Sequence, residues 1–178
     1  METTLYTVTI PPMMKVLEAQ MHMLDKVSEH VAKFANQYRD ASYYESRLLQ
    51  AHLIFDQFPF IMQVQRVSDN AKGGAARLAG IEAPEMKDEE KTVAELKVRL
   101  QKTLDFLKTI KPEQVNANES IKVSLPYWGG KHLTGFEYAM QYLMPNFYFH
   151  AVSAYSILRA NGVQIGKGDY IMNLPLKD

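Results

Sequence analysis

The chain has 178 residues, enough for one domain with a full apolar core and no covalent staples. Hydrophobic residues make up 47% and charged residues 22%, and the 20 Lys+Arg balance the 20 Asp+Glu, so no global field draws nucleic acid or an anionic membrane. The absence of cysteine excludes disulfides and thiolate chemistry and fits a cytoplasmic setting.

The N-terminal METTLYTVTIPPMM has no basic stretch leading into an apolar run, so no signal peptide is expected. No window approaches the roughly 18 apolar residues of a membrane span. The first helix is expected from Ile10 to Asn36. Ile10, Met14, Leu17, Met21, Leu24, Val31 and Phe34 recur at helical steps, and Pro11 and Pro12 suit a first turn. QYRDASYYES follows as a polar connection with room for a short helix.

A second helix begins near Phe58, with Pro59 in its first turn and Phe60, Val64, Val67, Ala71, Gly74 or Ala75, and Leu78 as its buried stripe. Its run KGGAARLAG is rich in small residues. Adjacent glycines in a helix cost about 1 kcal/mol each against alanine, so they predict a close helix approach or an irregularity. A third helix is expected from an Asp88 cap to Ile110, with Val93, Leu96, Leu100, Leu104 and Leu107 inside and Pro112 as its stop.

SIKVSLPYWGGKHLTG alternates apolar and polar residues around Pro-Tyr-Trp-Gly-Gly, which predicts a β-hairpin or extended excursion, Ser120–Leu125 and Lys131–Thr134. The fourth helix is expected from Thr134 to Ala160, buried through Phe136, Met140, Leu143, Phe147, Ala151, Ala154 and Leu158 and capped by Asn161-Gly162. GKGD, Gly166 to Asp169, lacks the spacing of a phosphate loop and reads as a turn in an irregular tail. Four long amphipathic segments bury their faces most simply as a four-helix bundle, one domain over 1–178.

Asn146 and His150 are four apart on the last helix, on one face beside its buried stripe. Such a pair needs polar partners. On the second helix Asp56, one turn before Phe60, together with Gln63, Gln65 and Asp69, are the candidates. Asp56, Asn146 and His150 are the candidate ligand- or metal-binding set, with Gln65 and Asp69 as a supporting polar cluster. A closed hydrogen-bond network is the alternative. One histidine and one asparagine at this spacing signal a metal less strongly than two histidines do. His52 and His132 are weaker candidates, and His22 and His30 flank the first helix's stripe. No Ser/His/Asp arrangement or nucleophile elbow is legible.

Three runs together resemble a known family: FP…QVQ…SD.AKG.AARLAG from Phe58 to Gly80, LP…GG…TG.EY from Leu125 to Tyr138, and PNF.FH…AY.ILR.NG…GK.DY from Pro145 to Tyr170. They resemble a bacterial and fungal domain-of-unknown-function family within the DinB-like (YfiT-like) four-helix bundles, over nearly the whole chain. The resemblance implies an all-α DinB-like bundle with a small hairpin before the last helix, often a dimer. The wider group includes metal-binding proteins and metal-dependent thiol transferases and isomerases, whose usual site is three histidines. One comes from the second helix and two from an HxxxH pair on the fourth. His150 matches the second member of that pair, Asn146 replaces the first, and the second-helix histidine is replaced, with Asp56 or His52 nearby.

The expected function is small-molecule binding in a cleft between the second and fourth helices, with a divalent metal such as Zn or Ni left open. The alternative is a non-catalytic structural or stress-associated bundle with a degenerate metal site. Expected partners are a small molecule and a second copy in a homodimer, with no nucleic acid and no membrane. Whether the protein is an enzyme is left open.

Overall fold

The structure, a computed structural model, describes residues 2–177. Thr4 opens the first helix, α1, Leu5–Ala32. Its backbone N–H donates to Thr7 Oγ1 at 2.8 Å and Thr7 N–H donates back to Thr4 Oγ1 at 3.3 Å, which satisfies two donors at the helix start. The helix therefore begins before Ile10, and Pro11 and Pro12 lie in its second turn rather than its first. Each removes a backbone donor there. Ile10, Met13, Leu17, Met23, Leu24 and Val27 are fully enclosed, while Met14 and Met21 sit at the edge of the stripe and Phe34 lies beyond the helix, exposed.

A short helix, α2, Ala41–Leu49, follows under an Asp40 cap. α3 spans Phe60–Ala79 and α4 spans Val93–Thr109. Thr92, not Asp88, caps α4, because Thr92 and Glu95 form a reciprocal capping box. After α5, Pro112–Asn116, the hairpin shrinks to β1, Lys122–Val123, paired antiparallel with β2, Leu133–Thr134. A tight Pro126–Trp128 turn and left-handed Gly129 and Gly130 connect them.

The last long helical stretch begins at Gly135 as α6, Gly135–Glu137, and passes through a wider-wound π segment, Tyr138–Leu143, into α7, Met144–Ala160. The extra residue in the π segment rotates everything before it by roughly one position. Gly135, Tyr138 and Ala139 therefore face the core, while Phe136 and Met140, expected inside, are 53% and 42% exposed. From Leu143 onward the expected stripe is buried. Gly162, with φ of 81°, ends the chain's turn out of α7. GKGD is not a turn but the start of α8, Lys167–Ile171, which packs on α1.

α1, α3, α4 and α7 form the bundle: α3 packs against both α7 and α4, and α1 against α4 and α7. One continuous apolar core runs between them. The small-residue run of α3 meets the π segment. A Cβ added at Gly74 would lie 2.3 Å from Leu143 Cδ1, so only glycine admits this approach.

Candidate functional site

α3 and α7 run antiparallel and share a polar seam. At one end Gln63, fully enclosed, faces His150, which is 9% exposed. Gln63 Nε2 donates to the Phe58 carbonyl at 3.1 Å, and its Oε1 lies 2.8 Å from His150 Nδ1. His150 Nε2 has no hydrogen-bond partner among the described residues. His150 as a whole retains slight exposure, so the ring is not sealed from solvent. The Phe58 ring stacks on the imidazole at 6.5 Å and 13°, and Phe149 meets it edge-on at 5.3 Å and 80°. Both rings are about half-exposed, so they make a partly open apolar collar.

Burial, and then the neighbouring Arg66 charge, hold the His150 pKa below the ordinary histidine value. The ring is therefore neutral at pH 7. One turn along the seam, Asn146 Nδ2 donates to Asn70 Oδ1 at 2.8 Å, and Asn70 Nδ2 donates to the Arg66 carbonyl at 2.9 Å. Beyond Gly74 and Leu143, Arg77 reaches the Tyr138 hydroxyl at 3.4 Å. Tyr142 stacks on Tyr138 and bonds the Tyr127 hydroxyl; burial and then that bond push its pKa up to about 12.

Asn70 was not among the candidates, although it lies seven residues after Gln63 and so on the same helical face. Sequence spacing places Phe58 at the helix start; it lies instead before the helix, where the 51–59 loop brings its ring over His150.

The sequence pattern of a domain of unknown function, DUF1993, matches residues 5–171. The chain belongs to the DUF1993 family. A solved structure, the crystal structure of a DinB family member protein from Shewanella denitrificans, is 39% identical with a TM-score of 0.86. That match covers 98% of this chain and 95% of the other. No protein of curated function matches this DUF1993 chain. The DinB-like four-helix bundle is thus shared in fold as well as in sequence.

Among the described residues, the side chains expected as metal donors lie in different settings. Asp56 is not on α3, which starts at Phe60, nor in line with its buried stripe. It sits on the exposed 51–59 loop and makes no hydrogen bond or ion pair among the described residues. His52, exposed, is engaged through Nδ1 with the Gln57 carbonyl at 2.7 Å, and His132 is exposed beside the hairpin. Asn146 offers a neutral amide already bonded to Asn70, and His150 offers one nitrogen. Among the described residues no group of three or more His, Cys, Asp or Glu side chains is placed to hold a metal ion. One imidazole beside two primary amides is a poor donor set for Zn or Ni.

Gln65 and Asp69 face α4, away from His150. Gln65 Nε2 donates to Glu90 at 2.8 Å, and Asp69 pairs with Arg99 at 2.7 Å, Arg66 at 3.0 Å and Lys72 at 3.2 Å. Arg99, its side chain 1% exposed, also meets Asp88 and Glu90, each at 3.0 Å. Burial opposes its charge, but Asp69 and Glu90 hold it protonated above the ordinary arginine range. This network ties the 80–92 loop to α3 and α4. The sequence carried a signal for it, since Arg99 falls on the α4 stripe three residues after Leu96.

A groove of about 960 Å³ lies between that loop and α4, lined by Met86, Val98 and Phe106 among carboxylates and lysines. The Arg99 charge at its edge is already matched by the largely buried Glu90, and Glu85, Lys87, Glu89, Glu95, Lys102 and Asp105 are surface groups. The convergence of a neutral imidazole, amides and aromatic rings is at His150.

Proposed function

We propose that this DUF1993 protein binds a small organic molecule at the outer end of the α3–α7 seam, with His150 as the group that contacts it and no divalent metal between them. The carrying observation is a nearly buried, neutral imidazole with one ring nitrogen unbonded among the described residues, in contact with two half-exposed phenylalanine rings. Sites for small molecules combine apolar walls with a few convergent polar groups, which matches this arrangement. Leu53, Ile54 and Phe55, all exposed, are further apolar side chains on the loop that carries Phe58. Acid–base chemistry lies within reach of such a histidine, but among the described residues no side chain is hydrogen-bonded to Nε2, so binding is the activity proposed.

In this reading the protein is a single-domain, cytoplasmic homodimer with no nucleic-acid or membrane partner. The zero net charge supports the absence of a nucleic-acid partner, and among the described residues no helix is long and apolar enough to cross a membrane.

The test is a fragment screen by NMR that watches the His150 ring signals, repeated on a His150→Phe variant of unchanged fold. Binders are expected to shift those signals and to lose at least about tenfold in affinity in the variant. The second reading, a structural bundle, draws on the Gln63 bond, which closes the Nδ1 side of the ring as a core contact would. A screen in which no fragment moves the His150 signals favours that reading and defeats the proposal.

A further inference from the structure

The enclosed Gln63 side chain decides which face of chemistry His150 shows. The inference rests on the ligand site proposed above and gives it a ligand class. Gln63 Nε2 lies 3.1 Å from the Phe58 carbonyl oxygen. A carbonyl oxygen only accepts, so the amide NH₂ must point there, and the flipped amide would set two acceptors against each other. Gln63 Oε1 is then the atom 2.8 Å from His150 Nδ1. Oε1 also only accepts, so Nδ1 must carry a proton. In a neutral imidazole the other nitrogen then bears the lone pair.

We infer that Gln63 locks His150 in the Nδ1–H form, so that its free Nε2 is a hydrogen-bond acceptor selecting planar ligands that donate a hydrogen bond, of the phenol or aryl N–H type.

Three surroundings support this. Gln63 is fully enclosed, so its amide has no water to compensate a flip. Phe58 and Phe149 flank the imidazole with apolar ring faces and edges, which suit a flat partner. The charged groups facing His150 do not favour imidazolium. Arg66 is a cation, and its guanidinium is engaged with Asp69 and Asp88, which turn toward Arg99 and Lys72. On α7, Asn146 contributes only an amide, bonded to Asn70. An anionic ligand would gain little from the neutral acceptor, and a ligand with acceptors alone would face the lone pair. Gln63 is thus a positioning residue, acting on the ligand through His150.

The experiment uses the whole chain, labelled with nitrogen-15 in histidine. In the ligand-free protein at pH 7.5 the two ring nitrogens report the tautomer directly. The expected result is a protonated Nδ1 and an unprotonated Nε2. Gln63→Leu should turn this into a mixture of tautomers. Gln63→Glu, which restores an acceptor at Nδ1 with a charge, should restore the tautomer and raise the His150 pKa above that of the wild type. A merely structural glutamine would change stability in both variants without this opposed pair of signatures.

The second arm titrates 4-methylphenol and its methyl ether, alike in shape but differing in the donor. The phenol is expected to shift the Nε2 resonance and to bind at least about tenfold tighter than the ether. A protonated Nε2 in the wild type overturns the inference. So does equal binding of phenol and ether at His150, which would leave the site standing and remove the ligand class. Neither probe moving the ring overturns the ligand class as well. The general fragment screen then shows whether the site itself fails.

Discussion

Gly74 of α3 and Leu143 of the π segment fill the same space: a Cβ at Gly74 would lie 2.3 Å from Leu143 Cδ1 and 2.6 Å from Cδ2. Leu143 is fully enclosed, so it cannot swing aside. Gly74→Ala is therefore expected to destabilise the protein by about 1–3 kcal/mol, despite alanine's better helix propensity. Gly73, next in the chain, is the control. Its added Cβ would meet only the end of the exposed Arg77 side chain, at 2.8 Å, which can shift at the expense of its long 3.4 Å contact with the Tyr138 hydroxyl. Gly73→Ala should stabilise by about 0.5–1 kcal/mol. Urea unfolding of both variants checks the opposite signs.

The donor set at the seam predicts that protein purified without chelator carries well under one equivalent of zinc or nickel. Asn146→Ala and His150→Ala should leave that value unchanged. Elemental analysis decides it. About one equivalent of metal, lost in both variants, would restore the metal site that Asp56, Asn146 and His150 suggest in the sequence.

The seam also sets a pH dependence. The folded-state pKa of His150 is lowered, by burial first and by Arg66 second, from an ordinary value of 6.5. The unfolded chain then binds the proton more readily than the folded one. The stability tied to the neutral ring is complete above about pH 6.5 and is lost as the pH falls below that value through the folded pKa. Unfolding free energies measured from pH 7.5 down to 5 should show this slope, and His150→Phe should flatten it.

Removing Arg99 leaves Asp69, Asp88 and Glu90 facing each other without their shared cation. Arg99→Leu is expected to cost on the order of 3 kcal/mol, because it breaks a buried network from one side. Asp88→Asn should cost less, since that carboxylate's side chain is 37% exposed and solvent already screens it. Chemical denaturation of the two variants provides the comparison.

The bundle was legible because α3, α4 and the later half of α7 keep a strict helical period, from Phe60 to Leu78 and from Leu143 to Leu158. The close approach at KGGAARLAG was legible in its glycines, though not its partner. Periodicity failed where one residue was inserted without any composition signal. The π segment left Phe136 and Met140 outside and brought Tyr138 in. Pro11 and Pro12 misled in the same way, since a Thr4–Thr7 box two turns earlier outweighs them as a helix start.

At the site, sequence spacing put Asn146 and His150 on one face and named Gln63 among four possible partners. Which of the four would meet His150 depends on the rotation of α3 about its axis. The structure turns Gln63 toward α7 and Gln65 and Asp69 toward α4. Asp56 precedes even the expected start near Phe58, and the loop leading to Phe60 holds it exposed rather than one helical turn before that residue.

The most direct test is a crystal soaked with small aromatic donors such as 4-methylphenol. The account predicts ligand density within hydrogen-bond distance of His150 Nε2, between the Phe58 and Phe149 rings, and none when His150 is replaced by phenylalanine. Density confined to the groove between the 80–92 loop and α4, with the His150 collar empty, would contradict it.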